Sequence, residues 1–338
     1  MNNAICFAIE RIKSILMNGS TQLLSLIVFL SALLSGCQDT ATDDKNRGTV
    51  VTGGERYFAN APAGLDDYWY QGKAEISTYE LSQNRYRDVH PGTAVLIFVT
   101  EDFLVNEQVK DERGTEASAT TVLKTNRVQQ FTTGLYEYSI MTSVFTPVEV
   151  QSHPNTLKVS TSAQDWCGHA WMQLNRRKRH YRMQLFSYFE SEGDREKKVP
   201  LAPLEDELFN RIRINPASLP TGKFNLLPGT MYCRLMHVPF EPVAATATLE
   251  DYRGDHFAGA ALRAYRVEYP TLKRSLSIVF ESAAPYRIAG WIDTYPSSFD
   301  GAVRQTVAKR KATMLDPYWQ HNSRADSVLR QALELRAR

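Results

Sequence analysis

Polar and apolar residues alternate one by one through segment after segment of this chain, and few folds satisfy that period of two. In residues 136–148, Tyr136, Tyr138, Ile140 and Val144 fall on one side and Glu137, Ser139 and Ser143 on the other, as in a strand with one face buried. Leu157, Val159 and Ala163 alternate with Lys158, Ser160 and Ser162, and Tyr181, Met183, Leu185 and Phe189 with Arg182 and Gln184. The pattern returns at Tyr265, Val267 and Tyr269, at Leu276, Ile278 and Phe280, and at Tyr286 and Ile288, and runs to about Tyr295. Short polar turns separate these runs, so the connections are those of an antiparallel meander and not of a doubly wound sheet. Residues 94–99 alone form a continuous apolar run, expected of a strand buried on both faces or covered by a helix.

Helical patterns are few. Leu204, Leu208 and Ile212 make a stripe introduced by Pro200 and Pro203 and followed by Pro216. Residues 323–338 read as a C-terminal helix with Val328, Leu329 and Leu333 inward, and residues 79–86 as a third candidate. The chain is 43% hydrophobic, enough for a core, and its formal net charge of +2 gives no field that would steer it onto nucleic acid.

The N-terminus carries its own signal. A 12-residue apolar run, 23–34, follows Arg11 and Lys13 and is too short to span a bilayer. It ends in Leu34-Ser35-Gly36-Cys37, which resembles the lipobox of bacterial lipoproteins, with translation starting at Met1 or at Met17. Residues 1–36 are thus expected to be a signal peptide, Cys37 the lipidation site, 37–64 a polar tether and 65–338 one β-rich globular domain. A multiply acylated cysteine anchors stably, and Gln38 leans towards outer-membrane sorting by resemblance to lipoprotein rules. The expected location is the cell envelope, at the outer membrane, on its periplasmic or surface face.

Cys167 and Cys233 remain in the mature domain. An oxidising envelope permits a disulfide between them, and two separate buried thiols are the other reading. Trp166-Cys167-Gly168-His169 begins like a thiol-disulfide oxidoreductase motif, but Ala170 stands where a resolving cysteine belongs. Cys167 and His169 could share a strand face as a nucleophile and base, with no orienting group or oxyanion hole visible. Arg176, Arg177, Lys178, Arg179 and His180 form the densest positive run, at a hairpin tip, suited to an anionic surface or simply to solvent. The seven histidines show no metal-ligand spacing, and no phosphate-binding glycine loop is present, so no metal or cofactor is implied.

A lipobox, a tether and long amphipathic strands with a few short helices resemble the LolA and LolB envelope carriers, in which a curved antiparallel sheet wraps helices around an acyl-binding cavity. The resemblance implies a mainly β fold with a half-barrel sheet. The stretches Tyr68-Trp69-Tyr70-Gln71-Gly72-Lys73-Ala74-Glu75, Gly134-Leu135-Tyr136-Glu137-Tyr138 and Gln164-Asp165-Trp166-Cys167-Gly168-His169 are also similar to an uncharacterised group of bacterial lipoproteins often labelled septum formation inhibitor Maf. The lipobox and the β alternation separate this chain from the cytosolic α/β nucleotide pyrophosphatases of that name.

These readings converge on a lipid-anchored binding protein rather than an enzyme. It would capture an apolar ligand, or a partner's hydrophobic segment, on a concave aromatic face to which Tyr136, Tyr138, Tyr265 and Tyr269 are assigned. An envelope hydrolase using Cys167 and His169 is the rival reading, and a structural component of an outer-membrane assembly the third. The expected partners are the membrane through the anchor, a lipid or other apolar ligand, and an envelope protein, with no nucleic acid.

Overall fold

The computed structural model describes residues 65–114 and 118–335. The expected signal segment, Cys37 and the expected tether lie outside the described residues. Fifteen strands form one antiparallel sheet. Its first half comprises β1 (Ala74–Arg85), β2 (Asp88–Leu104) with the short β3 (Val109–Lys110), β4 (Ala119–Thr133), β5 (Tyr136–Pro147), β6 (Lys158–Asp165), β7 (Gly168–Arg176), β8 (His180–Ser187) and β9 (Arg195–Pro200). The second comprises β10 (Gly222–Leu226), β11 (Val243–Asp251), β12 (Leu262–Tyr269), β13 (Arg274–Glu281), β14 (Ile288–Pro296) and β15 (Val303–Asp316). Most neighbours in sequence are neighbours in the sheet, as short turns require. Gly134, with φ at 64°, takes the left-handed conformation that the tight β4–β5 turn needs. The one long-range join is β15 to β1, which pairs Ala74 with Asp316 and unites the halves.

The sheet is open, with β9 and β10 at its margins. Laid flat, its fourteen-strand path would span about 60 Å. Instead, the segments that continue its two margins touch, for Leu204 and Leu227 form a parallel bridge in which Glu205 N donates to Leu227 O and Leu227 N to Pro203 O. The sheet therefore curls through its width.

Between the two margins the chain contributes the helices that fill the concave side: a 3-10 turn at Glu205–Glu207, α1 (Leu208–Ile214) and, after β10, α2 (Thr230–Met236). Leu208, Phe209, Ile212 and Ile214 of α1, with Met231 and Leu235 of α2, join one core with Tyr79, Leu96, Phe98, Phe131, Ile140, Tyr265, Val267, Ile278 and Trp291 from both halves of the sheet. Burial of this apolar layer is the main stabilising term.

One helix expectation is corrected. Residues 79–86 fall in β1 and its turn, because Tyr79, Leu81 and Gln83 face inward while Glu80 and Ser82 face solvent. The expected C-terminal helix is present and short: a 3-10 turn at Arg324–Val328 runs into the single-turn α3 (Leu329–Ala332). It still covers the sheet, since Leu333 packs with Ala74, Ile76 and Val99, and Val95, Ile97 and Met314 lie against that cluster. The apolar run 94–99 is thus covered on both faces. No helix among the described residues is long and apolar enough to cross a membrane.

Candidate functional site

The 3-10 turn Glu205-Asp206-Glu207 sends three buried carboxylates into the concave side, and each meets an arginine. Glu205 receives both terminal nitrogens of Arg274 (β13) at 2.7 Å and the Tyr269 hydroxyl at 2.6 Å, while Arg274 also grips Asp293 (β14) at 2.7 and 2.9 Å. Asp206 pairs with Arg127 (β4) at 3.2 Å and accepts from Thr230 N at 2.8 Å. Glu207 holds Arg211 at 3.0 Å and accepts from Thr156 at 2.5 Å. Gly229 admits this cluster, because a Cβ there would lie 2.4 Å from a Glu205 oxygen. Burial opposes ionisation of Glu205, but the charge and hydrogen bonds of Arg274 outweigh it and hold the carboxyl below its usual range. For Asp293 burial wins, and its carboxyl is held above the usual range despite Arg274. Every carboxylate here is occupied by partners on the fold itself, so the layer fastens helix to sheet.

Beside it lies a cleft of about 180 Å³, between the inner face of β6, β7 and β8 and the helix α2 with the loop that follows it. Its space arises from small residues: Ala163 and Ala170 are cross-strand partners on the inner face, where larger side chains would meet α2. Met172, Met183, Leu185, Val238 and Phe240 make the apolar wall. The volume is near that of a cavity that takes a benzene ring, about 150 Å³, so a single ring or a short acyl chain fits.

The cleft's polar rim is cationic. Arg195, Lys197 and Arg234 supply the charge, and His237 lines the rim beside them, against the single carboxylate of Glu192. His237 Nδ1 stands 2.6 Å from Glu192 Oε1 and its ring packs edge-on against Phe189, over which the Arg234 guanidinium lies at 4.4 Å. Partial burial opposes ionisation of Glu192, but hydrogen bonds with His237 and Ser187 and the charge of Arg234 hold its carboxyl below the usual range. The Arg234 guanidinium reaches Glu192 at 3.7 Å and His237 at 3.4 Å, and its buried Nε–H has no hydrogen-bond partner among the described residues, a donor the fold leaves unused.

The residues singled out from the sequence are distributed differently. Tyr136, Tyr138, Tyr265 and Tyr269 lie on the inner face, but packing occupies them. Tyr265 and Tyr269 are fully buried, with hydroxyls donating to Pro220 O and Glu205, and Tyr138 stacks on Phe131. Tyr136 is half-buried, 2.5 Å from the Tyr86 hydroxyl, and none of the four lines the cleft. Cys167 and Cys233 are both free thiols, which corrects the disulfide reading: Cys167 is exposed on the β6–β7 turn, whereas Cys233 is buried on α2 against the cleft. Burial, and then the Glu205 charge, push the Cys233 thiol up, away from a nucleophile's range. The Cys167 amide caps Asp165 at 2.7 Å, and Cys167 and His169 both face solvent with no enclosing wall. Arg176 ends β7, and Arg177, Lys178 and Arg179 form the tip before β8, lining an open groove apart from the cleft.

Sequence reasoning missed Glu192, Arg234 and His237. Their one signal is local: Arg234 and His237 stand three apart across a helix C-terminus, where cations are favoured. Among the described residues no group of three His, Cys, Asp or Glu side chains could hold a metal ion. Comparison of the chain with protein families, with curated proteins and with solved structures finds no match.

Proposed function

We propose that this protein is a lipid-anchored binding protein of the cell envelope that captures an amphiphile, an apolar ring or acyl chain bearing one anionic group, in the cleft beneath α2. The observation that carries this reading is the cleft itself: an apolar wall emptied by Ala163 and Ala170, with the guanidinium and ammonium groups of Arg195, Lys197 and Arg234 at its rim against the single carboxylate of Glu192. Apolar walls with a few convergent polar groups are what small-ligand sites are built from. The lipobox at Cys37 supports anchoring. The reading narrows the apolar-ligand expectation and moves the contact surface from the packed tyrosines to the cleft. A partner's hydrophobic segment is less well suited, because a volume of about 180 Å³ admits only a short apolar group.

The test is titration calorimetry of the full chain with octanoate and with octanol, beside organic extraction of the purified protein for a co-purifying mass. Saturable octanoate binding that weakens at least tenfold for octanol and for Arg234→Gln is expected, the charge-assisted hydrogen bond contributing about 1.5–3 kcal/mol. Ala163→Phe, which fills the cleft, is expected to abolish binding while the protein stays folded. Octanoate binding untouched by Ala163→Phe would sink the proposal.

A further inference from the structure

A second built feature lies at the other end of β8. The open groove of about 620 Å³ there is lined by Arg177, Lys178, Arg179 and His180 from the hairpin tip, Arg182 from β8, and Glu196, Lys197 and Lys198 from β9. Its one carboxylate is spoken for, since Glu196 accepts from Arg182 Nε at 2.8 Å and Nη2 at 2.7 Å. None of Arg177, Lys178, Arg179, Lys197 and Lys198 forms an ion pair among the described residues. Five uncompensated cations therefore face one open surface.

Solubility alone explains part of this. Lysines on the marginal strand β9 discourage edge-to-edge pairing, which accounts for Lys197 and Lys198. It does not account for the tip, which is a turn with no edge to protect, its geometry closed by Arg177 N donating to His180 O at 2.8 Å. Nor does it account for the convergence of tip and edge on a single groove.

Topology relates this groove to the rest of the chain. Strands alternate in direction, so the start of β1, the ends of β2, β5 and β7, and the start of β8 all lie at one end of the sheet. Leu65, where the described chain begins, and the turn at Asp67–Trp69 lie at that same end, with Trp69 O accepting from the Thr100 hydroxyl of β2 at 2.6 Å.

We propose that this groove and tip dock the domain on an anionic bilayer surface, with lipid phosphates against Arg177, Lys178, Arg179, Lys197 and Lys198. Charge complementarity and the shared end with the N-terminal segment both select a membrane as the occupant. In this orientation the cleft rim, formed by the β8–β9 connection at the opposite end of β8, faces away from the membrane that holds the anchor. The proposal shares only Lys197 with the cleft and holds whether or not the cleft takes an amphiphile.

The test is partition of the full chain between vesicles of phosphatidylcholine with 30% phosphatidylglycerol and vesicles of phosphatidylcholine alone. The N-terminal segment is the same in wild type and variants, so the change in the ratio between them isolates the charge of the groove and tip. The wild type is expected to prefer the anionic vesicles at low salt and to lose the preference at high salt. With each cation contributing about fivefold, the variant R177S/K178S/R179S should lower the ratio by on the order of a hundredfold. R177K/R179K should preserve it. K197S/K198S provides a second test on a different element should the tip variant misfold. A ratio unchanged in both neutralised variants would overturn the proposal. So would tight binding of soluble inositol hexakisphosphate with no vesicle preference, which would mark an anion site that is not a membrane surface.

Discussion

Glu75 and Arg213 stand fully buried where β1 meets the end of α1, joined by two hydrogen bonds of 2.5 and 2.7 Å. The guanidinium lies 4.7 Å from the rings of both Trp69 and Phe98 and donates its Nε–H to Pro285 O at 2.7 Å. Two charges without water are tolerable only because every face of the arginine has a partner. Glu75→Gln is therefore expected to cost about 3–5 kcal/mol by urea denaturation, because it leaves a buried cation uncompensated. The double variant Glu75→Leu with Arg213→Met should recover most of that loss. The same pair sets a pH dependence. Burial opposes ionisation of Glu75, but the charge and hydrogen bonds of Arg213, with the Tyr68 hydroxyl, outweigh it and hold the carboxyl below its ordinary 4.5. A depressed folded pKa means that the pair's stabilisation is complete above about pH 4.5 and is lost as the pH falls through the folded value. Asp206 and Asp293 act in the opposite sense, since burial holds their carboxyls above the ordinary 3.8 and protonation favours the folded state. The difference between wild type and Glu75→Gln, followed by urea denaturation from pH 7 to pH 3, isolates the Glu75 contribution and should shrink below pH 4.5. A difference that stays constant to pH 3 would show that folding does not lower the Glu75 pKa.

At the scale of elements, legibility followed how polar the inner face is. Strands such as β5, β12 and β13 bury tyrosines, valines and isoleucines against the core and expose serine, arginine and glutamate, so their alternation was readable. In β1 and β4 the inner face includes Gln83, Arg127 and Gln129, which meet partners rather than oil, and the polar-apolar contrast disappears. That is why residues 79–86 resembled a helix and why the long β15, rich in Lys and Arg, left no clear trace. The cleft was illegible for a related reason: Ala163 and Ala170 matter by the volume they leave, which depends on a helix about 60 residues later in the chain. The C-terminal segment shows the converse, a weak helix whose docking residue was nevertheless readable. Leu333 is buried over Ala74, Ile76 and Val99, and its carbonyl accepts from the Thr78 hydroxyl at 2.8 Å. Leu333→Ala should cost about 2–3 kcal/mol in denaturant unfolding, the low side of the range for a buried leucine because the surrounding cover is thin. A loss under 0.5 kcal/mol would mean that this segment does not stay on the sheet in solution.

For the whole molecule, the decisive contacts are long-range. The β1–β15 ladder joins residues more than 200 positions apart, as in Ala74 with Asp316, and the carboxylates of a single 3-10 turn hold arginines of β4 from one half and β13 from the other. Neither half of the sheet can bury its concave face without the insert between them, and the insert cannot leave its carboxylates behind unpaired. The halves are therefore expected to unfold together, and folding should be slow because loops of this length must close before their contacts form. Hydrogen exchange at native conditions reads this directly. Amides of the margins β9 and β10, each paired on one side only, should exchange through local opening. Those of β1, β2, β4, β13 and β15 should exchange together, at the rate of global unfolding, although they come from both halves. Protection that instead split into two levels, one for β1–β9 and one for β10–β15, would show that β15 and β1 join two independently stable sheets and that the carboxylate turn does not couple them.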